Sequence, residues 1–440
     1  MYPNPQDALP LPSRPNLAQY KKLAKDLVKA YKSGDPSPVR AWAARWVERL
    51  VTLDGRTVAS RQQWIDGQIS QVAQFALDRL SRGASSPEHP ALADAQFVIA
   101  RAHGFLSWPK FASHLGSLAR TSSPVSAYEA AADAIVAGDA VTIQRLLRDT
   151  SDLVRARSMR EHSATLLHYV SANGIEGYRQ KSPKNAADIA RFLLEAGAEV
   201  DAEADVYGGG CTTLGLVATS SPPKDAGVQL QVIDVLLEYG ARMDRPGSTG
   251  NKSALIRGCL ANGCPEAAEH LIERGAPIDV VGAAGTGRVD ALRKFFTDSG
   301  VPKEAVTSAQ INEGLAMAAG YGSLGAVDFL LDSGIEVDRE LQLYGQGHTA
   351  LHISSYHAYG DIVRSLLRRG ARVDIRDKTW GTTPLTWALT GWSHGKAPDP
   401  RYHETVAMLV AAGSDVKSEW LEWEKVRADP RMRAALSPAS

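Results

Sequence analysis

Side chains that could transfer protons are spread thinly along this sequence. His348, His357 and Asp205 are the residues that would carry acid–base chemistry if the protein is an enzyme, because imidazole and carboxylate groups exchange protons readily. No Gly-x-Ser-x-Gly nucleophile motif accompanies them. No pair of metal ligands is spaced for one helix, so we expect neither a metal nor a cofactor. The sequence therefore supports no particular reaction, and we assign no catalytic residue.

A second group of residues is better suited to binding than to catalysis. Tyrosine, tryptophan, histidine and asparagine combine hydrogen-bonding groups with rigid or compact side chains, which is typical of binding hot spots. The residues predicted to bind a ligand are Asn173, Tyr207, Asn262, Tyr321, Tyr344, Tyr356, His357, Trp380, Trp387 and Trp392. They are widely separated in sequence, so their use in one site depends on the elements that carry them.

One stretch, residues 348–374, shows what those elements are. Thr349 supplies an N-cap oxygen for a first helix, and Ile362 and Leu366 form the apolar stripe of a second helix that Gly370 ends. This pattern predicts a helix-turn-helix unit followed by an exit turn.

The ending of this unit recurs along the chain. Two apolar residues precede a glycine that ends the second helix, and the glycines are Gly197, Gly240, Gly275, Gly300, Gly334, Gly370 and Gly413. They are 43, 35, 25, 34, 36 and 43 residues apart. The unit resembles an ankyrin repeat, whose period is about 33 residues. The resemblance implies an all-α ankyrin-repeat solenoid of about seven to eight repeats, some of them irregular.

In the ankyrin fold, the end of each first helix and the tips of the fingers between repeats face a concave groove. The resemblance therefore places the predicted binding residues in this groove, and it implies that His348, His357 and Asp205 are exposed in or near it. His168 and His352 occupy a position where the imidazole ordinarily bonds backbone, so we interpret them as structural.

The residues before the repeats predict a small helical bundle. Trp42, Trp46 and Leu50 follow one another at helical spacing, and residues 62–80 continue the amphipathic pattern. The segment 92–115, with a turn at Gly104, resembles the helical lead of a family of bacterial ankyrin-repeat proteins. The predicted domains are an N-terminal helical bundle (1–120), an ankyrin-repeat array (125–416) and a C-terminal helical cap (417–440).

Repeat lengths predict where the array is irregular. Residues 175–184 read as an inserted loop, and inserted loops often carry specificity. Only 25 residues separate Gly275 from Gly300, which leaves no finger after Asp279. We expect a notch there, which is a candidate pocket, although a deletion without functional meaning is equally consistent with the spacing.

Composition limits the classes of partner. The 440 residues contain 49 Lys plus Arg and 49 Asp plus Glu, so no net charge favours nucleic acid or an anionic membrane. Three cysteines are too few for a disulfide framework and indicate a reducing compartment. No apolar run reaches the 18 or so residues that a membrane span needs. We therefore expect a cytoplasmic protein.

The predicted function is that of an ankyrin-repeat binding module, which recognises a protein segment or a small molecule in its concave groove. The alternative is a non-redox, metal-free enzyme of the cyclase or hydrolase type, with its active site in the same groove. A closed pocket with a histidine bonded to a carboxylate would favour the enzyme, and an open groove would favour the binding module.

Overall fold

Helices make up nearly all of the regular structure in a computed structural model of the protein. The structure describes residues 3–12, 14–51, 58–83, 92–120, 123–244, 254–342, 345–395 and 399–437. In chain order, the α-helices are α1 (Leu17–Tyr31), α2 (Pro36–Val51), α3 (Val58–Gly83), α4 (Leu92–Ala102), α5 (Trp108–Leu118), α6 (Pro124–Ala137), α7 (Ala140–Asp149), α8 (Ala186–Glu195), α9 (Thr213–Ala218), α10 (Ser221–Asp225), α11 (Gln229–Glu238), α12 (Ala254–Ala261), α13 (Pro265–Glu273), α14 (Val280–Gly285), α15 (Val289–Arg293), α16 (Ser308–Gly320), α17 (Leu324–Asp332), α18 (Ala350–Tyr356), α19 (Gly360–Arg368), α20 (Pro384–His394), α21 (Arg401–Ala411), α22 (Ser418–Leu421), α23 (Glu424–Arg427) and α24 (Pro430–Leu436).

Short elements complete the fold. The 3-10 helices are Pro5–Asp7, Ser151–Arg155, Leu166–Ser171 and Gly177–Arg179. Strands β1 (Glu203–Ala204) and β2 (Cys211–Thr212) pair antiparallel, with Glu203 opposite Thr212. Two compact units are formed by the chain: unit 1 is Met1–Gly258 with Asn262–Ala267, and unit 2 is Cys259–Ala261 with Ala268–Ser440.

The ends of α6 show how local sequence sets the helix boundaries. The side chain of Ser123 accepts a hydrogen bond from the Ser126 backbone N–H at 3.0 Å, and Pro124 occupies the first turn. The helix ends at Gly138, which has a left-handed backbone (φ 78°). A Cβ at Gly138 would lie 2.8 Å from the Asn185 side chain. Glycine is therefore required here both by conformation and by the close approach of the next segment.

The first five helices of unit 1 pack around one aromatic core, in agreement with the predicted helical bundle. His103 stacks on Phe111 with ring centroids 5.2 Å apart, and Tyr20 meets Phe111 edge to face at 5.0 Å. Leu9, which precedes these helices, is fully buried in the same core. The backbone N–H of Leu9 donates to the carbonyl of Ala102 at 2.8 Å, and His103 Nδ1 donates to the carbonyl of Leu9 at 2.9 Å.

Helix pairs follow the bundle in two rows. In unit 2, α14, α16, α18 and α20 pack successively against one another, and α15, α17, α19 and α21 form the second row. In unit 1, α6 and α9 contact the 3-10 helix Leu166–Ser171, which takes the place of a first helix, while α8 packs on α11. Across the described residues the chain forms eight successive pairs that begin at α6. This arrangement confirms the predicted fold class, an all-α repeat solenoid.

The domain borders predicted at residues 120, 125 and 416 remain predictions. The bundle and the first helix pairs belong to the same compact unit. At the C-terminal end, α24 packs on α21 and α23, and Trp420 and Val426 are buried there.

The inserted segment 175–184 is partly buried in unit 1. Ile175 and Glu176 are at most 1% exposed, and Arg179 is 4% exposed. The insertion therefore belongs in part to the interior, and its role in specificity stays a prediction. Glu176 and Arg179 take part in a buried ion network with residues from other elements of unit 1.

Two arginines and two glutamates form this network. Arg160 Nη1 lies 2.5 Å from Glu129 Oε1 and 3.1 Å from Glu176 Oε1. Arg179 Nη1 lies 2.8 Å from Glu129 Oε2 and 3.3 Å from Glu176 Oε1. Each arginine thus contacts both carboxylates, and Arg179 also reaches Asp133 at 2.8 Å. Charges removed from water are stable only when they are neutralised in this way.

The network is surrounded by aromatic and imidazole groups. Tyr169 donates to Glu176 Oε1 at 3.4 Å, and Arg160 donates to the Tyr178 hydroxyl at 3.3 Å. Burial opposes ionisation of Glu129, but the adjacent Arg160 and Arg179 outweigh it and lower the pKa of Glu129 to about 2. The same two arginines hold the pKa of Glu176 well below its usual range against the effect of burial. Both carboxylates are ionised at neutral pH.

We predict that Glu176→Gln strongly destabilises unit 1. The substitution keeps the shape of the side chain but leaves Glu129 as the carboxylate that both buried guanidinium groups contact. Removing one partner of a buried ion pair costs about 3–5 kcal/mol. Urea unfolding followed by circular dichroism measures the loss. The matched control is Glu238→Gln, which breaks the exposed pair with Arg191 and should cost less than about 1 kcal/mol; equal losses in the two variants would contradict the assigned role.

The network also predicts a direction for the pH dependence of unfolding. The folded-state pKa of Glu129 is about 2, below its ordinary value of 4.5, so folding is favoured by the ionised form. The stabilisation is complete above about pH 4.5 and is lost as the pH falls towards 2. Unfolding free energies measured from pH 6 to pH 2.5 should fall steeply for the native protein and less steeply for Glu176→Gln.

Candidate functional site

The loop between α19 and α20 is organised by one buried carboxylate, Asp377, which is 2% exposed. Its oxygens accept hydrogen bonds from the backbone N–H groups of Thr379 (2.9 Å), Trp380 (2.6 Å) and Thr382 (2.9 Å). The Thr382 hydroxyl donates at 2.5 Å and Trp387 Nε1 at 3.3 Å. We call residues 375–383 the Asp377 loop. Five donors converge on one side chain, so the carboxylate fixes both the path of the loop and the position of Trp387.

The protonation states around this loop follow from the same contacts. Burial raises the pKa of Asp377, but hydrogen bonds from Thr382, Trp380 and Trp387 outweigh it and lower the value to about 2. His352 Nε2 donates to the carbonyl of Thr382 at 3.2 Å, and burial lowers the pKa of this histidine to about 4. At neutral pH the loop is held by an ionised aspartate and a neutral histidine. His352 therefore bonds backbone, as expected, and His168 does the same with Cys211 at 3.3 Å.

A cavity of about 590 Å³ lies between this loop, α18 and α20. Its walls are mainly aromatic, and threonine side chains contribute the polar part; the lining residues are Tyr356, His357, Trp380, Thr382, Thr386, Trp387 and Thr390. Its volume falls within the range of small-ligand and side-chain pockets. We call it the aromatic cavity.

Close packing of α18 and α20 positions one wall of the cavity. A Cβ at Gly391 would overlap the carbonyl oxygen of Tyr356, so the absence of a side chain allows the two helices to approach. The same carbonyl accepts a hydrogen bond from the Tyr402 hydroxyl at 2.8 Å. On α20, Thr386 and Thr390 are one turn apart, and the Thr390 hydroxyl donates to the Thr386 carbonyl at 2.8 Å. The hydroxyl proton of Thr390 is therefore donated within the helix and not to the cavity.

Four of the predicted binding residues, Tyr356, His357, Trp380 and Trp387, come together at the aromatic cavity. Trp380 is 59% exposed, whereas Trp387 is 7% exposed. Trp387 therefore forms a buried wall, and Trp380 is the aromatic residue most accessible to a partner. Burial lowers the pKa of His357, so its imidazole adds no positive charge at neutral pH.

The remaining predicted binding residues lie elsewhere. Trp392 is 5% exposed and does not line the aromatic cavity; Lys425 Nζ lies 4.8 Å from its ring centroid. The Tyr321 hydroxyl donates to the carbonyl of Leu260. Asn262 is exposed and bonds the Gly258 carbonyl of its own helix turn at 2.9 Å. Tyr344 lies outside the described residues.

Asn173 and Tyr207 form a second, separate group in unit 1. The Tyr207 hydroxyl donates to Asn173 Oδ1 at 2.6 Å and accepts from the side chain of Gln6. The Asn173 amide donates to the Leu216 carbonyl at 3.0 Å. Asn173 therefore uses its hydrogen-bonding groups within the protein. Asp205 and Tyr207 line a cavity of about 630 Å³, and residues 3–6, Arg101 and Glu161 also line it.

The three residues considered for catalysis are not alike in accessibility. His348 is fully buried and packs against Trp387 with ring centroids 5.5 Å apart, so the expectation that it is exposed is wrong. The backbone of His348 forms an antiparallel bridge with Leu341. His357 lines the aromatic cavity in unit 2, and Asp205 belongs to unit 1.

The short repeat has the local structure that its length predicts. Helix α14 begins at Val280, directly after Asp279, whose side chain accepts from the Gly282 N–H at 2.8 Å. No finger separates α13 from α14. None of the residues lining the aromatic cavity comes from this repeat, so the notch is not part of that site.

Asp377, Thr382 and Thr386 were missed as site residues. The sequence contains a signal for Thr386, because Thr383 and Pro384 mark a helix start and place residues 386 and 390 on one face with Trp387 nearby. Asp377 has no such signal, since a single aspartate in a loop resembles any solvated one.

Comparison with known families agrees with this geometry. Residues 315–419 match the family model described as ankyrin repeats, in three copies. This segment consists of ankyrin repeats. All residues of the aromatic cavity lie within the matched range, so the cavity is built on the ankyrin scaffold. In the described part of the chain, no helix is long and apolar enough to cross a membrane.

We predict that Asp377→Asn loosens the Asp377 loop. An amide at this position presents its own N–H groups to backbone donors, so hydrogen bonds to a charged acceptor, worth about 1.5–3 kcal/mol each, are lost or weakened. Quenching of tryptophan fluorescence by acrylamide should increase, and the midpoint of thermal unfolding should fall. Asp361→Asn is the control, because the Asp361 side chain is 76% exposed. No change in quenching for Asp377→Asn would rule out the proposed role of the carboxylate.

Proposed function

We propose that this protein is a binding module whose ankyrin repeats recognise a segment of a partner protein at the aromatic cavity of unit 2. Ankyrin repeats generally act as protein-interaction modules, and the matched repeats contain the whole cavity. The walls are formed by side chains on rigid helices and on a loop fixed by Asp377. A preformed surface of this kind binds without a large ordering cost.

The observation that carries this proposal is the exposure of Trp380. A tryptophan that is 59% exposed leaves a large apolar surface in water, and its backbone N–H is held by Asp377 at 2.6 Å. Tryptophan is enriched among residues that dominate binding energy. Its ring lies 5.7 Å from that of Trp387, so a partner side chain entering the cavity would contact both.

A protein segment fits this site better than an enclosed small molecule does. Trp380 lines the cavity and is 59% exposed, so the cavity is open to a partner beside this ring. A chain can place one side chain in the cavity while its backbone continues past the rim. No reaction is assigned to the site, since its lining groups are aromatic rings, threonine hydroxyls and one neutral imidazole.

The proposal predicts that peptide binding depends on Trp380. Random peptides displayed on phage would be selected on the native protein, and the recovered peptides would be measured against Trp380→Ala by fluorescence anisotropy. We expect the affinity to fall at least tenfold, because truncation of a hot-spot residue costs about 2 kcal/mol or more.

The matched control is Trp423→Ala. Trp423 is also exposed, at 40%, and it packs against Trp420 away from the cavity, so its removal should leave affinity unchanged. Peptides that bind the native protein and Trp380→Ala equally well would show that the aromatic cavity is not the recognition site.

A further inference from the structure

The aromatic cavity has a ring arrangement that is more specific than an apolar pocket. Tyr356 meets Trp387 at an interplanar angle of 79° with centroids 6.1 Å apart, and Trp380 meets Trp387 at 63° and 5.7 Å. Trp387 is thus the middle of three rings, and each neighbour is turned steeply from its plane. All three line the same cavity. Because the rings are not parallel, a bound group can contact aromatic surfaces from several directions and not from one direction only.

The charged group in contact with the cavity wall is negative. Asp377 lies behind the wall, bonded both to the Trp380 backbone and to the indole N–H of Trp387. The nearby cation Lys378 is paired with Glu340 at 2.6 Å, and Arg376 donates to the Gly381 carbonyl at 3.0 Å. His357 adds no charge at neutral pH. Among the described residues, the ionised group that bonds the indole of Trp387 is the Asp377 carboxylate.

We propose that the group bound in the aromatic cavity is an alkylammonium cation. This inference rests on the proposed function and names the chemistry that the site recognises. An ammonium group over an aromatic face is attracted by the negative electrostatic potential of that face, and the effect adds over several rings. A carboxylate that bonds the indole N–H of Trp387 increases the electron density of that ring. A carboxylate or phosphate ligand would be repelled by the Asp377 carboxylate and by the negative potential of the ring faces.

Two sources supply this cation chemistry, a lysine side chain of the partner segment and a free quaternary ammonium compound. The open cavity accommodates both, because each presents a positively charged nitrogen at the end of an alkyl chain. The threonine hydroxyls of the lining are hydrogen-bond groups without charge, so they discriminate little between them.

The experiment compares choline with 3,3-dimethylbutan-1-ol, which has the same shape but carbon in place of the charged nitrogen. Titration of the full chain is followed by tryptophan fluorescence, with calorimetry as the second readout. We expect choline to bind at least tenfold more tightly than the neutral alcohol. Trp380→Leu keeps an apolar side chain but removes one ring, so it should weaken choline at least fivefold and leave the alcohol unchanged.

A third probe, Nε-trimethyl-lysine capped at both ends, distinguishes the two sources. Binding much tighter than that of choline supports a side chain of a protein segment, whereas equal binding supports a free quaternary ammonium compound; both outcomes support the cation. Equal binding of choline and the neutral alcohol, or no binding of choline, overturns the inference. Peptides that still need Trp380 in that case would leave the proposed function standing, so the two failures are distinguishable.

Discussion

The structure of unit 1 depends on the mutual neutralisation of Glu129, Glu176, Arg160 and Arg179. Glu129 lies on α6, and Arg160 lies before the 3-10 helix Leu166–Ser171. Glu176 and Arg179 lie in the segment after that helix. All four residues are at most 8% exposed. Each carboxylate contacts both arginines, and these contacts favour its ionised form away from water. The network thereby fixes the position of an irregular segment that has no repeating pattern to hold it.

The same constraint acts on a smaller scale in unit 2. Asp377 has no cation bonded to it among the contacts that the structure describes, and its charge is balanced by five hydrogen-bond donors. A carboxylate that accepts several such bonds stays ionised when buried. The donors are the loop itself and the indole of Trp387, so satisfying the charge also shapes the aromatic wall. A buried anion in each unit thus fixes the parts of the chain that helix packing leaves undetermined.

This explains which features could be predicted from the sequence. Helix ends at Gly197 or Gly370 follow from local preferences, and their spacing predicts the paired helices. Tyr356 and His357 lie at the end of a first helix and Trp380 in the loop before the next one, as the repeat pattern predicts. The structure brings them together with Trp387 at one cavity, and their role in binding stays a prediction. The burial of Glu176 and Arg179 could not be predicted, since their partners Glu129 and Arg160 are far away in sequence. His348 was wrongly expected to be exposed for a related reason, because a position in a repeat gives a residue's place on an element but not what covers it.

The location of the cavity follows from what a pocket needs. A pocket must be lined on several sides, and a row of stacked helices lines only one of them. The short repeat at α14 lacks a finger, so it removes a wall instead of creating a recess. The Asp377 loop, by contrast, contributes Trp380 and Thr382 to the cavity beside residues of α18 and α20. In this array, one wall of the pocket therefore comes from a loop fixed by hydrogen bonds and not from the repeat that lacks a finger.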